Sequence, residues 1–564
     1  MKLTKCALVS LITALPLLAQ QPAPSAQANG NPQVVPSLKG LVFLSKPEDV
    51  AKNGVSAPGV NTSALDMLGA DFQQEMAEYL GRPLTLDGLN QITHRVVQYY
   101  RQHNHPLVDV VAPPQNVDSG VIQILVTEFR VGQVRVEGNQ WFSDRVVAAA
   151  VTLQHGDTVD SQQLLNQLDA ANTNPFRRVN LVYQPDAQQG YTDLVLQTQD
   201  RLPLRVFTGF DNGGTPVTGR SRWELGATWG NALWRDQQLS YQLSTSDNFF
   251  TGGMPSEDGR PGGASFVGQS LTWTMPIRSR DSISLTGNYD RSIPNIGQDF
   301  GLVGKSWGIS SRYNLALRRT SSLIHTASIG YDFRSTNNNL AFGGAQVMRN
   351  TVEIDQFVAG YSANLTDHLG STSLVTNLFF SPGNITPNNT NAAMQPAAGQ
   401  SGRYFDAAHY TYWRSDLNRL TKLPAHAVWS VRAMGQTSTA NLFYTEQLAG
   451  GGQEIMRGYD PNALLGDRGF LLSNELRSPS FLSNSERSLG TIQFLTFWDF
   501  AHLSSVHDVE GAVNHLNGSS IGIGTRYNLR SNLTAKADYG WQLQHLPNSD
   551  NRDQLVSFAL VMSY

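Results

Sequence analysis

The sequence predicts a mainly β fold: a C-terminal 16-stranded antiparallel transmembrane β-barrel preceded by two small α/β domains. Three observations carry that prediction. From Leu202 to Tyr564 apolar and polar residues alternate with period two, in runs of about 10 residues, the length of a tilted membrane-crossing strand. Ahead of them one helix-and-strand order occurs twice. The chain opens on an export signal, and beyond it no apolar run is long enough for a membrane helix.

Composition agrees. The 564 residues leave room for two or more domains, and the net charge of −4 gives no reason to expect nucleic acid. Mean hydropathy is −0.28, with 15% charged residues and 50 glycines, which suits a barrel whose outward apolar residues are diluted by inward polar ones.

Residues 1–28 read as a signal peptide. Lys2 and Lys5 supply the positive end, Ala7–Ala19 is apolar, and cleavage is expected after Ala19 or Ala28. Cys6, the sole cysteine, precedes the apolar run, where a lipid-anchor cysteine would not sit. The mature chain therefore has no disulfide and no thiolate metal site.

Residues 36–129 are expected to form the first domain. Leu38–Leu44 is a strand, Ala64–Leu80 and Leu86–Arg101 have helical spacing, and Leu107–Val111 and Val121–Glu128 are strands. Residues 130–201 repeat the order in shorter form. Val131–Glu137 is a strand, Phe142–Ala150 and Ser161–Ala171 are helices, and Arg178–Gln184 and Thr192–Gln199 are strands.

Residues 202–564 hold the barrel. Trp307, Ile309, Tyr313 and Leu315 oppose Ser306, Ser310, Arg312 and Asn314. Ala327, Ile329, Tyr331 and Phe333 oppose Ser328, Asp332 and Arg334. Leu533, Ala535, Ala537, Tyr539 and Trp541 oppose Thr534, Lys536, Asp538 and Gln542. Sixteen strands satisfy the even number of bacterial barrels, so Asn441–Leu448 is assigned to a loop, since a seventeenth strand would break parity. Lipid cannot satisfy open sheet edges, which requires closure.

That loop contains Gly450-Gly451-Gly452, then Arg457-Gly458-Tyr459-Asp460 and Gly466-Asp467-Arg468-Gly469. It is too glycine-rich for a helix and too polar for a membrane strand, and long loops in compact proteins are usually functional. Parity places Asp499 and Phe497 inward if Phe494, Trp498 and Phe500 face lipid, and likewise Glu475 inward with Leu472 and Leu476 outward. A loop arginine shielded from water needs such partners.

The second repeat resembles the POTRA domain of two-partner-secretion transporters, on Val134-Arg135-Val136-Glu137-Gly138-Asn139, Asn174-Pro175-Phe176-Arg177 and Gly190-Tyr191-Thr192-Asp193-Leu194. Arg457-Gly458-Tyr459 resembles the Arg-Gly-Phe/Tyr at the tip of that family's sixth extracellular loop, which folds back into the barrel. Glu446, Gly466, Asp467 and Gly469 match its surroundings. Phe497-Trp498-Asp499-Phe500-Ala501 resembles its Phe-x-Asp-x-Gly on the thirteenth strand, with Ala501 for the usual glycine. Phe558 and Tyr564, on one face of the last strand, resemble the signal read by the barrel assembly machinery. From about Leu38 to Tyr564 the chain is similar to outer-membrane two-partner-secretion transporters of the haemolysin-activator and filamentous-haemagglutinin-transporter kind.

The resemblance implies an outer-membrane protein with periplasmic POTRA domains, bedded in outer-membrane lipids. Those domains would dock a large unfolded exoprotein by strand addition, with Asn174, Pro175, Phe176 and Arg177 as docking landmarks. The barrel would pass the client to the surface. Family members often carry a plug helix; here fewer than about 20 residues, several of them poor helix formers, separate either cleavage site from Leu38, so no plug is expected. An outer-membrane insertase of the same superfamily is the alternative, and a passive porin is disfavoured because porins need no POTRA domains.

No enzyme, cofactor or metal is expected. Gly304-Lys305-Ser306-Trp307-Gly308 has the letters of a nucleophile elbow but is followed by a strand. His94, His103 and His105 lack a nearby carboxylate set and read as solvated. Gly522-Ile523-Gly524 reads as strand, not nucleotide loop.

Overall fold

In the computed structural model the alternating region is a closed ring of sixteen antiparallel strands. The described residues are 31–253, 263–277, 280–294, 300–342, 345–348, 351–395, 406–481, 490–547 and 553–564. The signal peptide, and part of the span where a plug would fall, lie outside them. In order the strands are Leu204–Asp211, Arg222–Ala232, Gln237–Thr245, Phe266–Pro276, Ser282–Ser292 and Phe300–Ala316. Leu323–Phe342, Thr351–Asp367, Gly370–Pro382, His409–Lys422 and Val428–Ser438 follow. The ring ends with Arg468–Arg477, Thr491–Ser504, His515–Leu529, Leu533–Gln542 and Gln554–Ser563. The sixteenth strand pairs with the first. A short piece, Ala345–Met348, pairs only with the end of the seventh strand and adds no member to the wall.

Side chains follow the expected parity. Ile329 is 65% exposed on the outer face, and Trp307, Phe357, Trp413, Phe494, Trp498 and Ile523 share that face. A contiguous apolar band of this extent is the surface of a protein that meets lipid. No helix among the described residues is long and apolar enough to cross a membrane. The nucleophile-elbow letters fall inside the sixth strand and Gly522–Gly524 inside the fourteenth.

By compactness the chain divides in two. The first unit runs to Arg130, with residues 157–161 and 188–191. Its sheet places Gly40–Leu44 between Gly59–Asn61 and Val121–Glu128, with Val108–Val111 outermost. Phe72, Met76, Ile92, Val96 and Tyr100 from two helices bury against Leu41, Phe43, Ile122, Ile124 and Val126. The first helix is shorter than expected, Ala70–Ala77 instead of Ala64–Leu80. Leu65 and Leu68 keep their buried positions from a turn, closed by the Thr62 hydroxyl donating to Leu68 O at 2.9 Å, so apolar spacing extended the reading past the true start at Gly69. Three further short strands, Gln33–Val35, Gly59–Asn61 and Leu84–Thr85, are too short to show alternation.

The second unit holds the rest of the second module and the barrel. The module has a three-stranded sheet ordered Arg130–Glu137, Tyr191–Asp200, Arg177–Pro185. Its helices are Asp144–Ala148, shorter than the Phe142–Ala150 of the sequence reading, and Ser161–Ala171.

Candidate functional site

The long loop between the eleventh and twelfth strands is ordered by its own hairpin, Leu448–Gly450 against Leu464–Gly466. No seventeenth wall strand arises from Asn441–Leu448, which instead contains a one-turn helix at Tyr444–Glu446. Leu448, Ile455, Met456, Tyr459 and Leu464 pack with Leu471, Ala501 and Leu503 of the wall. Ala501, where the family pattern has glycine, puts its methyl into this cluster and is fully buried. The hydrophobic effect therefore holds the loop against the wall.

Arg457, at the loop tip, is 1% exposed. Its Nε donates to Asp499 Oδ2 at 2.9 Å and its Nη2 to Asp499 Oδ1 at 2.8 Å, the paired geometry that a planar guanidinium makes with a carboxylate. Its backbone N–H also donates to Asp499 Oδ2, at 2.9 Å. Nη1 donates to Glu475 Oε1, and Nη2 also reaches Ser473 Oγ at 2.9 Å. The guanidinium carbon lies 3.6 Å from the centre of the Phe497 ring, a cation–π contact. Gly522 makes room for that ring, since a Cβ there would sit 2.3 Å from Phe497 Cζ.

Arg477 and Arg526 both bond Glu475, and Arg526 also bonds Asp538 at 2.7 Å. Three guanidiniums thus face the carboxylates of Asp499, Glu475 and Asp538, and the buried cluster is charge-balanced. Balance matters because an unpaired charge at this burial is expensive.

Gly458 has φ +98° and lies against Gly540 of the fifteenth strand, where a Cβ on Gly540 would stand 2.8 Å from Gly458 N. Two facing glycines let backbone meet backbone. Gln542 Nε2 donates to Gly458 O at 2.7 Å, and the Tyr459 hydroxyl donates to Ser519 O at 2.9 Å. Gly469, at φ +136°, passes so close to His502 O that a Cβ would lie 2.0 Å away.

The loop is held at its base as well. Glu446 accepts from Arg334 at 2.8 Å, Tyr412 at 2.8 Å and Gln356 at 3.1 Å, on the seventh, tenth and eighth strands. Asp467 is fully buried and accepts from Gln447 Nε2 at 2.8 Å and Leu442 N at 3.0 Å. Gly466 packs on Leu503, where a Cβ would come within 2.7 Å. The base thus grips one side of the wall and the tip another, across the lumen. Beside the loop a cavity of about 730 Å³ remains, lined by Gln242, Gln269, Ser270, Asn288, Ser306 and other polar side chains.

The four landmarks of the second module lie beside a turn of the barrel. Phe176 and Arg177 are 5% and 6% exposed and turn toward the barrel. Arg177 Nη2 donates to Asp236 Oδ2 at 2.6 Å. Asn174 Nδ2 donates to Gly230 O at 2.7 Å and Asp236 Oδ1 at 2.8 Å, and its Oδ1 accepts from Phe176 N at 3.1 Å, across Pro175. Their partners lie at the turn between the second and third strands, where Leu233, Trp234 and Asp236 hold φ of 56, 59 and 61°. Asn174 and Arg177 thus bond this turn, while Pro175 stays exposed; client docking at Asn174, Pro175, Phe176 and Arg177 stands as a proposal.

At the last strand Phe558 faces outward and packs on Phe210 at 5.7 Å between centroids, while Tyr564 is 88% exposed. His103 packs on Tyr99 in the first unit. Sequence reading missed Ser473, Arg526 and Gly540. Ser473 was reachable by parity, two residues before Glu475, and Asp538 and Gln542 were placed on one face without a role. Gly540 carried no signal, because its importance is the approach of a backbone far away in sequence.

Comparison with known proteins gives the setting. The family model for haemolysin secretion/activation protein ShlB/FhaC/HecB matches residues 190–525, more than half of the chain, and that for the ShlB-type POTRA domain matches 62–128. The chain is 22% identical over 476 residues to the outer membrane transporter CdiB of Dickeya dadantii (strain 3937), covering 83% of this chain and 79% of that one. It is 19% identical over 437 residues to the heme/hemopexin transporter protein HuxB of Haemophilus influenzae, covering 76% and 73%. Among solved structures, CdiB from Escherichia coli superposes with a TM-score of 0.68 at 18% identity, over 97% of this chain and 93% of that one. BamA from Haemophilus ducreyi lacking POTRA domains 1-3 superposes with 0.54 at 12% identity, over 88% and 98%. At such identities the likeness to solved structures is one of fold alone.

Proposed function

The chain belongs to the haemolysin secretion/activation family ShlB/FhaC/HecB, and on that footing we propose that it binds one large unfolded exoprotein through its POTRA domains and passes it through the barrel to the cell surface. The protein is an outer-membrane two-partner-secretion transporter with periplasmic POTRA domains. Capture and translocation of the client are our reading. The observation that carries it is the loop seated inside the lumen on a buried, charge-balanced cluster around Arg457. A lumen filled by a removable loop suits occasional passage of a chain better than steady diffusion of solutes.

Docking is assigned to the sheet edges, since an unpaired strand offers backbone hydrogen bonds whatever the client sequence. The outermost strands Val108–Val111 and Arg177–Pro185 are the candidates. Periplasm holds no ATP, so the drive would be folding outside and one-way capture. Phe558 and Tyr564 are proposed as the signal to the assembly machinery, and the outward apolar band as the lipid contact.

Proteomics of culture supernatant and outer membrane, with and without the gene, tests this reading. Loss of one large secreted protein is expected. Depletion of many barrels from the membrane would instead favour an insertase.

A further inference from the structure

The barrel is most thinly closed where its first and sixteenth strands meet. They share five register pairs, from Phe207↔Ser563 to Asp211↔Ala559, extended by Val206 and Tyr564. Among the described residues every other pair of wall neighbours shares at least eight. Beyond Asp211 the Asn212 N–H donates to Phe558 O at 3.3 Å, and its side-chain amide adds two further links. Its Nδ2 donates to Val556 O at 2.8 Å and its Oδ1 accepts from Phe558 N at 2.9 Å.

The loop reaches this point. Gln453 Nε2 stands 3.1 Å from Asn212 Oδ1, 3.1 Å from Phe558 O and 3.4 Å from Asp211 Oδ1. One amide group therefore touches both strands at the end of the shortest ladder. Asp460, on the same loop, bonds Arg220 beyond the first strand at 2.8 Å. A cavity of about 410 Å³ lies between loop and seam, lined by Gly209, Asp211, Gly451, Gln453 and Leu560 among others, so the side chain can withdraw without repacking the wall.

We propose that Gln453 is a positioning residue that staples the seam while the loop is seated, so that the loop's position sets how firmly the barrel is closed. The physical reason is local. A short ladder opens more readily than a long one, and a donor carried by the loop is present only while the loop is inside. This coupling stands apart from the transport reading, because its test measures the ring and not the client.

The test is amide hydrogen exchange on the full-length protein in bilayers, comparing Phe207–Asp211 and Ala559–Ser563 with the eighth and ninth strands as control. Gln453→Leu is expected to speed seam exchange about tenfold, the order set by losing one or two hydrogen bonds, with the control unchanged. Asn212→Leu should do the same, and the double variant should exchange no faster than the faster single one. Asp499→Ala, which frees the loop tip elsewhere, should also loosen the seam. If Gln453→Leu does not assemble, Gln453→Asn, shorter by one methylene, carries the same comparison. Unchanged seam exchange, or an equal rise in the control strands, overturns the proposal.

Discussion

At Arg457 a nearly inaccessible guanidinium meets Asp499, Glu475 and Ser473. Removing it leaves two carboxylates short of a partner, at a cost of about 3–5 kcal/mol where burial is complete. Asp499 is the more exposed to that loss, because Glu475 still has Arg477 and Arg526. We therefore expect Arg457→Ala and Asp499→Ala each to cut secreted client per inserted barrel strongly, and Glu475→Gln to cut it less. The double variant Arg457→Ala/Asp499→Ala should be no worse than the worse single one, since contacting sites are non-additive. Arg457→Lys should rescue poorly, because an ammonium cannot bond both Asp499 oxygens and Glu475 in one plane. Additive losses would show that the residues act separately. Gly540→Ala tests the same seat sterically: its methyl would press on the Gly458 backbone, costing about 1–3 kcal/mol as overpacking does. Trypsin cleavage after Arg457 should then rise in an otherwise intact barrel, and unchanged protection would mean the loop does not rest on Gly540.

At the scale of elements, the loop and the joint below the barrel make separate predictions. Deleting Gly450–Asp460 removes the tip from the lumen, so single-channel conductance in planar bilayers should increase. Equal conductance would show that the loop does not limit the pore. The joint depends on Arg177 and Asp236, with side chains 2% and 23% exposed. Asp236→Asn keeps a residue that tolerates positive φ while removing the charge. It should cost about 1–3 kcal/mol, between the surface and buried limits, and lower the unfolding midpoint of the second module more than that of the barrel. Arg177→Met should cost less, since it removes the buried charge and leaves the more exposed partner. Equal shifts of both midpoints would mean that the contact does not act at the joint.

For the whole molecule, deletion of residues 36–129 should leave a barrel that inserts and a second module still joined to it, while secretion is lost. The joint is built entirely from residues outside the deleted segment. Undiminished secretion would remove the first domain from client capture.

Strand parity and strand length were open to reading in the chain because both are local. Side chains alternate with period two whatever the neighbouring strand does, so the inward direction of Asp499 and Glu475 and the lipid face of Trp498 and Leu476 followed from residues a few positions apart, while the even strand number came from the rule for closed bacterial barrels. The loop was likewise marked by its glycines. Height along the wall was not readable, since it depends on register between strands, and register is settled by many pairings at once. Only the folded ring brings Ser473, Arg526 and Asp538 level with Arg457, sets Gly540 behind Gly458, and carries Gln453 to a seam whose strands lie more than two hundred and one hundred residues away in sequence. The landmark Asn174-Pro175-Phe176-Arg177 shows the same limit. Its letters identified the domain, but its partner Asp236 sits 59 residues on, and only the folded chain shows that Asn174 and Arg177 bond that turn.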